Sequence, residues 1–539
     1  MLSPLSVTLD GQSLGPADVV AVARHGARVS LGPQAKTRLE RARALVDRLV
    51  AEDRVVYGLT TGVGALKNVR IPPADTRQLQ RNLFMSHAVG VGPPLPDELV
   101  RAGMLVRVNQ FCQGTSGVSP AVAQQLIDLL NHDICPWVPE KGSLGASGDL
   151  APSAHVGLVL IGEGDVVHKG ERRSGAEALR AAGLQPVELR AKDALSVLNG
   201  THFMAGAASL VLHDAQRLLL TADVVAALSV EALRGSRTAF DPRIHAARPH
   251  PGQVASAARI FALTQGSEIA ESHVLCDRVQ DAYSLRCAAQ VHGACHDAID
   301  YLGRVLAVEL NAGTDNPLVF ADDEAVLSGG NFHGEPLALA LDTASIGLSE
   351  LGSISERRLF RMLTGFLSEL PPFLTRHSGL DSGYMLLQYT AAALATDNQL
   401  LATPASVHSL PTSADQEDHN SMGWHSAQRA RQVATNVEAI LALEALGAAQ
   451  GIDLLAPLKP GRLTGEAHAA IREKVPTLDH DRVLEPEIQA AIELVRSGRL
   501  AAIAPPPQME AGDDFPSPAH GTGPRFPSPA RGGGQGGGR

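Results

Sequence analysis

Four stretches rich in alanine and leucine, at 204–233, 287–310, 335–363 and 426–451, constrain what this chain can fold into more than any other feature. Several exceed the length of an ordinary globular helix, so they predict a bundle of long helices rather than layered α/β units. Their apolar faces are broad and rich in small residues. A helix apolar on more than one face must bury more than one face, which predicts packing against other subunits. Aromatic residues make up only 4% of the chain while hydrophobic residues make up 44%. The core must therefore be built from Ala, Leu and Val, a composition that favours helix.

The 539 residues are enough for a large core and would permit about three domains. Ahead of the long stretches, the pattern predicts a short strand at Ser6–Leu9 and a helix over Pro16–His25. It then predicts an amphipathic segment carrying Leu39, Ala42, Leu45, Val46, Leu49 and Val50, and a helix carrying Leu79, Leu83 and His87. Residues 150–162 read as a helix or an apolar turn-rich segment, followed by a small strand at 165–169. From Pro505 the composition collapses into Pro, Gly and Ser, and Phe515-Pro516-Ser517-Pro518-Ala519 recurs at 526–530. Such a segment cannot bury enough apolar surface to offset chain entropy, so disorder is expected there. The reading is a mainly α protein: a smaller N-terminal domain over 1–203, a long-helix bundle domain over 204–504, and a tail over 505–539.

A net charge of −11, with no concentrated Lys/Arg tract, argues against nucleic acid or an anionic membrane as the main partner. Cys112, Cys135, Cys276, Cys287 and Cys295 are odd in number and scattered without a C-x-x-C, which favours reduced thiols over disulfides or a zinc site. No metal is expected. The N-terminus lacks a basic region and a long apolar run, and no apolar stretch approaches a membrane span in this reading. A cytoplasmic location is expected.

The stretch richest in chemistry is Gly142-Ser143-Leu144-Gly145-Ala146-Ser147-Gly148-Asp149-Leu150-Ala151-Pro152. Attack of the Gly148 amide nitrogen on the Ala146 carbonyl carbon would close a five-membered ring. Loss of water from that ring and from the Ser147 side chain would leave a methylidene-imidazolone (MIO), a carbon electrophile that no ordinary side chain offers. Gly148 lacks a Cβ and can approach closely in a compressed turn, and Ala146 adds little bulk. A turn ahead of a helix uses the same residue types. There is no G-x-G-x-x-G, no G-x-x-x-x-G-K-[ST] and no G-x-S-x-G, so nucleotide-binding and hydrolase readings have little support.

The run from Gly142 to Pro152, continuing to His155, resembles the signature of the histidine and phenylalanine ammonia-lyase family, the MIO-dependent aromatic amino acid lyases. The resemblance extends over nearly all of the chain before the tail. It implies a helical homotetramer with active sites shared among subunits, an MIO formed from Ala146, Ser147 and Gly148, and no external cofactor. In Tyr57-Gly58-Leu59-Thr60-Thr61-Gly62-Val63-Gly64 it makes Tyr57 the catalytic base. Asn199, in Asn199-Gly200-Thr201, would face the electrophile and substrate. Gln280-Asp281-Ala282-Tyr283-Ser284-Leu285-Arg286 is similar to a family motif in which Arg286 holds the substrate carboxylate, with Tyr283 and Gln280 positioning it. An arginine fork suits that task because it donates two parallel charged hydrogen bonds. Phe332, in Gly330-Asn331-Phe332-His333, would border the pocket.

Two positions bear on which amino acid is bound. His87, in Ser86-His87, and Glu417, in Gln416-Glu417-Asp418, match the histidine-specific members. A neutral imidazole offers one donor and one acceptor nitrogen, which a carboxylate and a histidine can complement. The resemblance thus implies elimination of ammonia from L-histidine to give trans-urocanate. A phenylalanine or tyrosine ammonia-lyase, an aromatic 2,3-aminomutase, and a catalytically silent helical assembly protein are the alternatives. The chain departs from the family pattern at Thr60, Val63, Ser153 and Asp415. The last places a second carboxylate near Glu417 in the sequence.

Overall fold

The computed structural model describes residues 6–273 and 279–506. The tail reading falls almost wholly on 507–539, outside the described residues, as does Cys276. Eight helices carry the architecture: α1 (Thr76–His87), α2 (Asp97–Phe111), α3 (Leu150–Leu160), α4 (His202–Ala232), α5 (Ala288–Glu309), α6 (Glu335–Leu363), α7 (Met385–Leu401) and α8 (Gly423–Leu454). The long-helix reading is reproduced, with 335–363 matched residue for residue and the others shifted by up to about a turn. The helix α7 was not among the four stretches.

The centre of the bundle is α4, packed against α8, α2, α5 and α6. Its alanines and valines are buried on nearly every side, which a helix with large side chains could not achieve at close interhelix distance. A fully buried carboxylate ties three of these helices. Glu444 of α8 accepts from Ser229 of α4 at 2.6 Å and from Arg358 Nη2 of α6 at 2.9 Å. By length and composition α6 could cross a membrane, which the sequence reading did not anticipate. However, 67% of its most apolar window is buried, as befits a core helix.

The N-terminal part carries short strands. Strand β1 (Ser6–Leu9) pairs in parallel with β2 (Arg28–Leu31) across the predicted helix Pro16–His25. Farther on, β3 (Ile134–Pro136), β4 (Asp165–His168) and β5 (Glu171–Ser174) form an antiparallel sheet in that order of sequence and space. The β4–β5 hairpin turns at Lys169-Gly170, both at positive φ, the twist that two-residue hairpins require. One hydrophobic core runs continuously from these elements into the bundle.

Candidate active site

Three helices begin around the Ala146–Gly148 turn. Helix α3 starts at Leu150, directly after it; α4 starts after Asn199-Gly200-Thr201; α8 starts after Met422, whose amide donates to Leu144 O at 2.9 Å. Helix N-termini carry unpaired amides and partial positive charge, so the turn sits in a field that favours developing negative charge. Asp149 joins two of these starts. It precedes α3 in sequence, yet its Oδ2 accepts from the amides of Phe203 (2.8 Å) and Met204 (3.1 Å) at the head of α4. Burial pushes its carboxyl up to about 7, against the pull of those amides and of Arg107.

The turn itself is compressed. Ser147 has φ 50° and Gly148 φ 87°, both left-handed. A Cβ on Gly148 would lie 2.1 Å from Gly200 O, so only glycine fits. The Asp149 amide donates to that same carbonyl at 2.8 Å, and Asn199 Nδ2 donates to Ser147 O at 2.7 Å. This geometry fits an MIO: the Gly148 nitrogen is held in a tight turn by a 3.3 Å hydrogen bond to Gly145 O, the serine carbonyl is pinned, and Asn199 Oδ1 is buried with no partner among the described residues.

Beneath Asn199 lies Arg107 of α2, fully buried. It donates to the carbonyls of Ser196 and Asn199, the latter at 2.6 Å, and burial pulls it down to about 10. Lys192, also fully buried, donates to Asp315 at 2.8 Å and so ties the helix Asp193–Leu198 to the turn containing Asn316. Burial draws Lys192 below the ordinary lysine range. Neither residue was singled out from sequence, where a lone Arg in an apolar helix or a lone Lys carries no pattern. Asp149 stands within the Gly142–Pro152 run, where only the fold shows that it caps α4.

A cavity of about 590 Å³ opens over the turn and brings together Tyr57, His87, Ser147, Asn199, Phe332 and Glu417. The Ser147 hydroxyl donates to Glu417 Oε1 at 2.9 Å, while Oε2 of Glu417 accepts from Thr412 Oγ1 at 2.9 Å. Asp415 is exposed and does not line the cavity. His87 is half-buried and contacts Ser86 Oγ through Nδ1 at 3.0 Å. Burial pulls its imidazole below the ordinary range, a shift that Glu417 partly opposes. The Tyr57 hydroxyl accepts from the Gly64 amide at 3.2 Å, and the Ala65 amide donates to Ser413 Oγ at 3.2 Å, docking the tyrosine loop on the turn that bears Glu417. Thr60 braces the loop from within, donating to Arg54 O at 2.7 Å. Ser153 fills its position by a 2.7 Å hydrogen bond to His202 Nε2.

Gln280, Tyr283 and Arg286 are not among the described residues lining this cavity. Gln280 and Tyr283 are exposed; the Arg286 guanidinium lies 4.4 Å from the Tyr283 ring centre and its Nε donates to Asp281 O at 3.0 Å. One chain therefore holds the turn, Tyr57, His87, Phe332 and Glu417 together in one cavity, and Arg286 lies outside it.

A helical bundle with a strained Ala-Ser-Gly turn under a tyrosine loop defines a class of enzyme. The chain belongs to the aromatic amino acid lyase family, whose model matches residues 14–473. It is 52% identical to the histidine ammonia-lyase of Symbiobacterium thermophilum over 91% of this chain and 97% of that one. Among solved structures, the histidine ammonia-lyase of Trypanosoma cruzi superposes with a TM-score of 0.87 at 41% identity, covering 93% of this chain and 95% of that one. The tyrosine aminomutase of Streptomyces globisporus gives the same TM-score at 36% identity, covering 92% and 98%.

Proposed function

We propose that this carbon–nitrogen lyase eliminates ammonia from L-histidine to give trans-urocanate, using an MIO made from its own Ala146, Ser147 and Gly148. The observation that carries the proposal is the meeting of Ser147, Glu417 and His87 in one cavity. The relatives named histidine ammonia-lyase support it from an independent direction. Once formed, the MIO supplies an electrophilic carbon that withdraws electrons from the substrate and eases loss of a poor leaving group.

The side chains supply orientation and proton transfer. Loss of the Ser147 hydroxyl removes the donor on Glu417 Oε1 and frees that oxygen for the imidazole N–H of the substrate. His87, held neutral by burial, offers a nitrogen to the other edge of that ring. Tyr57 removes the β-proton; the hydrogen bond from the Gly64 amide holds its hydroxyl in place over the cavity. Phe332 closes one wall, and Asn199 holds the serine carbonyl in place.

The carboxylate clamp completes the site from another subunit in a cytoplasmic homotetramer. Gln280, Tyr283 and Arg286 sit on the surface, and Val308, Leu339, Ile346, Leu386, Tyr389 and Leu400 of α5, α6 and α7 expose apolar side chains beside the bundle. Such surface is unfavourable in water, which supports its burial against other subunits. Incubating the purified enzyme with L-histidine, L-tyrosine and L-phenylalanine in parallel, and following the unsaturated product of each, tests the substrate. Turnover of histidine alone supports the proposal, whereas an inert histidine beside a reactive tyrosine, or a β-amino acid product, contradicts it.

A further inference from the structure

A second cavity, of about 690 Å³, opens where the helix Pro16–His25 meets α4 and α8. It shares no lining residue with the Ser147 cavity. Four guanidiniums border it, from Arg24, Arg217, Arg431 and Arg496, against the carboxylates of Glu98, Asp214 and Glu438.

The carboxylates are already engaged. Arg24 takes both oxygens of Asp214 at 2.7 Å each, and Glu98 through Nε at 2.7 Å. Arg217 donates to Glu438 Oε2 at 2.9 Å and lies 3.2 Å from Asp214. Arg496 holds the other oxygen of Glu438 with two hydrogen bonds of 2.8 and 3.0 Å. Arg431 stands apart. Among the described residues no hydrogen bond or ion pair engages its guanidinium, although it is half-buried in the cavity wall.

We propose that this cavity is a binding site for a small oxyanion, a phosphate or a carboxylate, clamped by Arg431. The fit is chemical and geometric. A guanidinium is permanently charged and presents a planar fork of donors that matches both anions. The neighbouring arginines are fixed by their carboxylates, so the positive wall needs little reordering when an anion enters. The lining residues carry one more guanidinium than carboxylates; outside the lining, the exposed Glu493 lies 3.6 Å from Arg496, and no carboxylate pairs with Arg431 among the described residues. His25 and His213 add further polar groups at its edge; burial, the largest cause, draws His213 below the ordinary imidazole range, leaving it a neutral donor or acceptor.

Calorimetric titration of the full chain with inorganic phosphate, and separately with succinate, tests this at an ionic strength held constant with chloride. The expected result is saturable binding of at least one of the two anions at one site per chain; the tighter one identifies the ligand class. Arg431→Gln should weaken that binding about tenfold or more. Thr435→Glu gives a second test on an exposed residue that also lines the cavity and lies one helical turn beyond Arg431. It supplies Arg431 with an internal carboxylate and should abolish binding even where Arg431→Gln does not fold. Binding of neither anion above the chloride control would overturn the proposal, as would undiminished binding by the folded variants.

Discussion

The hydroxyl of Ser147 donates a 2.9 Å hydrogen bond to Oε1 of Glu417, across 270 residues of chain. The atom that must leave to make the electrophile thus rests on the carboxylate assigned to the substrate ring. Glu417→Gln keeps the shape and removes the charge. A hydrogen bond to a charged group contributes about 1.5–3 kcal/mol. The variant should therefore lose about tenfold to a hundredfold in kcat/KM for L-histidine, measured from initial rates of product formation. Full activity in this variant would remove Glu417 from substrate recognition.

Asp149 gives the fold a specific pH response. Its folded-state value, about 7, lies above the ordinary 3.8 because of burial. The folded protein therefore binds the proton more tightly than the unfolded chain. The stability this contributes is complete below the ordinary carboxylate range and is lost as pH rises through about 7. Asp149→Asn keeps a carbonyl acceptor for the amides of Phe203 and Met204 without the charge. Between about pH 5 and about pH 8, its melting temperature should fall less than that of the parent protein. Parallel slopes for the two would show that Asp149 does not titrate in this window.

The bundle should be sensitive at Arg358. Removing it leaves Glu444 buried without its cation, and breaking a buried pair in this way costs about 3–5 kcal/mol. Arg358→Met should show that loss in denaturant unfolding, while Arg462→Met, at an ion pair with Glu466 whose partners are both exposed, should lie within about 1 kcal/mol of the parent.

A shared site predicts complementation. Ser147→Ala and Arg286→Ala should each be nearly inactive alone. Co-expressed, they should form mixed assemblies in which some sites contain both intact residues, and lyase activity should return. If the mixture is no more active than its components, the arginine and the turn do not meet across subunits.

The long helices were legible because their signal is local: alanine and leucine in runs with broad apolar faces. The helix α7 was not, since Leu386, Tyr389 and Leu400 leave apolar residues on an exposed face and blur its pattern. In the site, Tyr57, His87, Asn199, Phe332 and Glu417 could be found because each stands in a motif, and the fold brings them into one cavity. Asp149 as the cap of α4, Arg107 under Asn199, and the Lys192–Asp315 pair depend on contacts between distant segments, for which single residues leave no periodic trace. The arginine motif was equally legible, yet a single chain does not bring Arg286 to the cavity.

The intact mass of the purified protein tests the central claim most directly. If Ala146, Ser147 and Gly148 have closed into the electrophile, the chain weighs less than its sequence by two molecules of water, and Ser147→Ala does not show that deficit. A parent protein at its full sequence mass, with lyase activity present, would contradict the account.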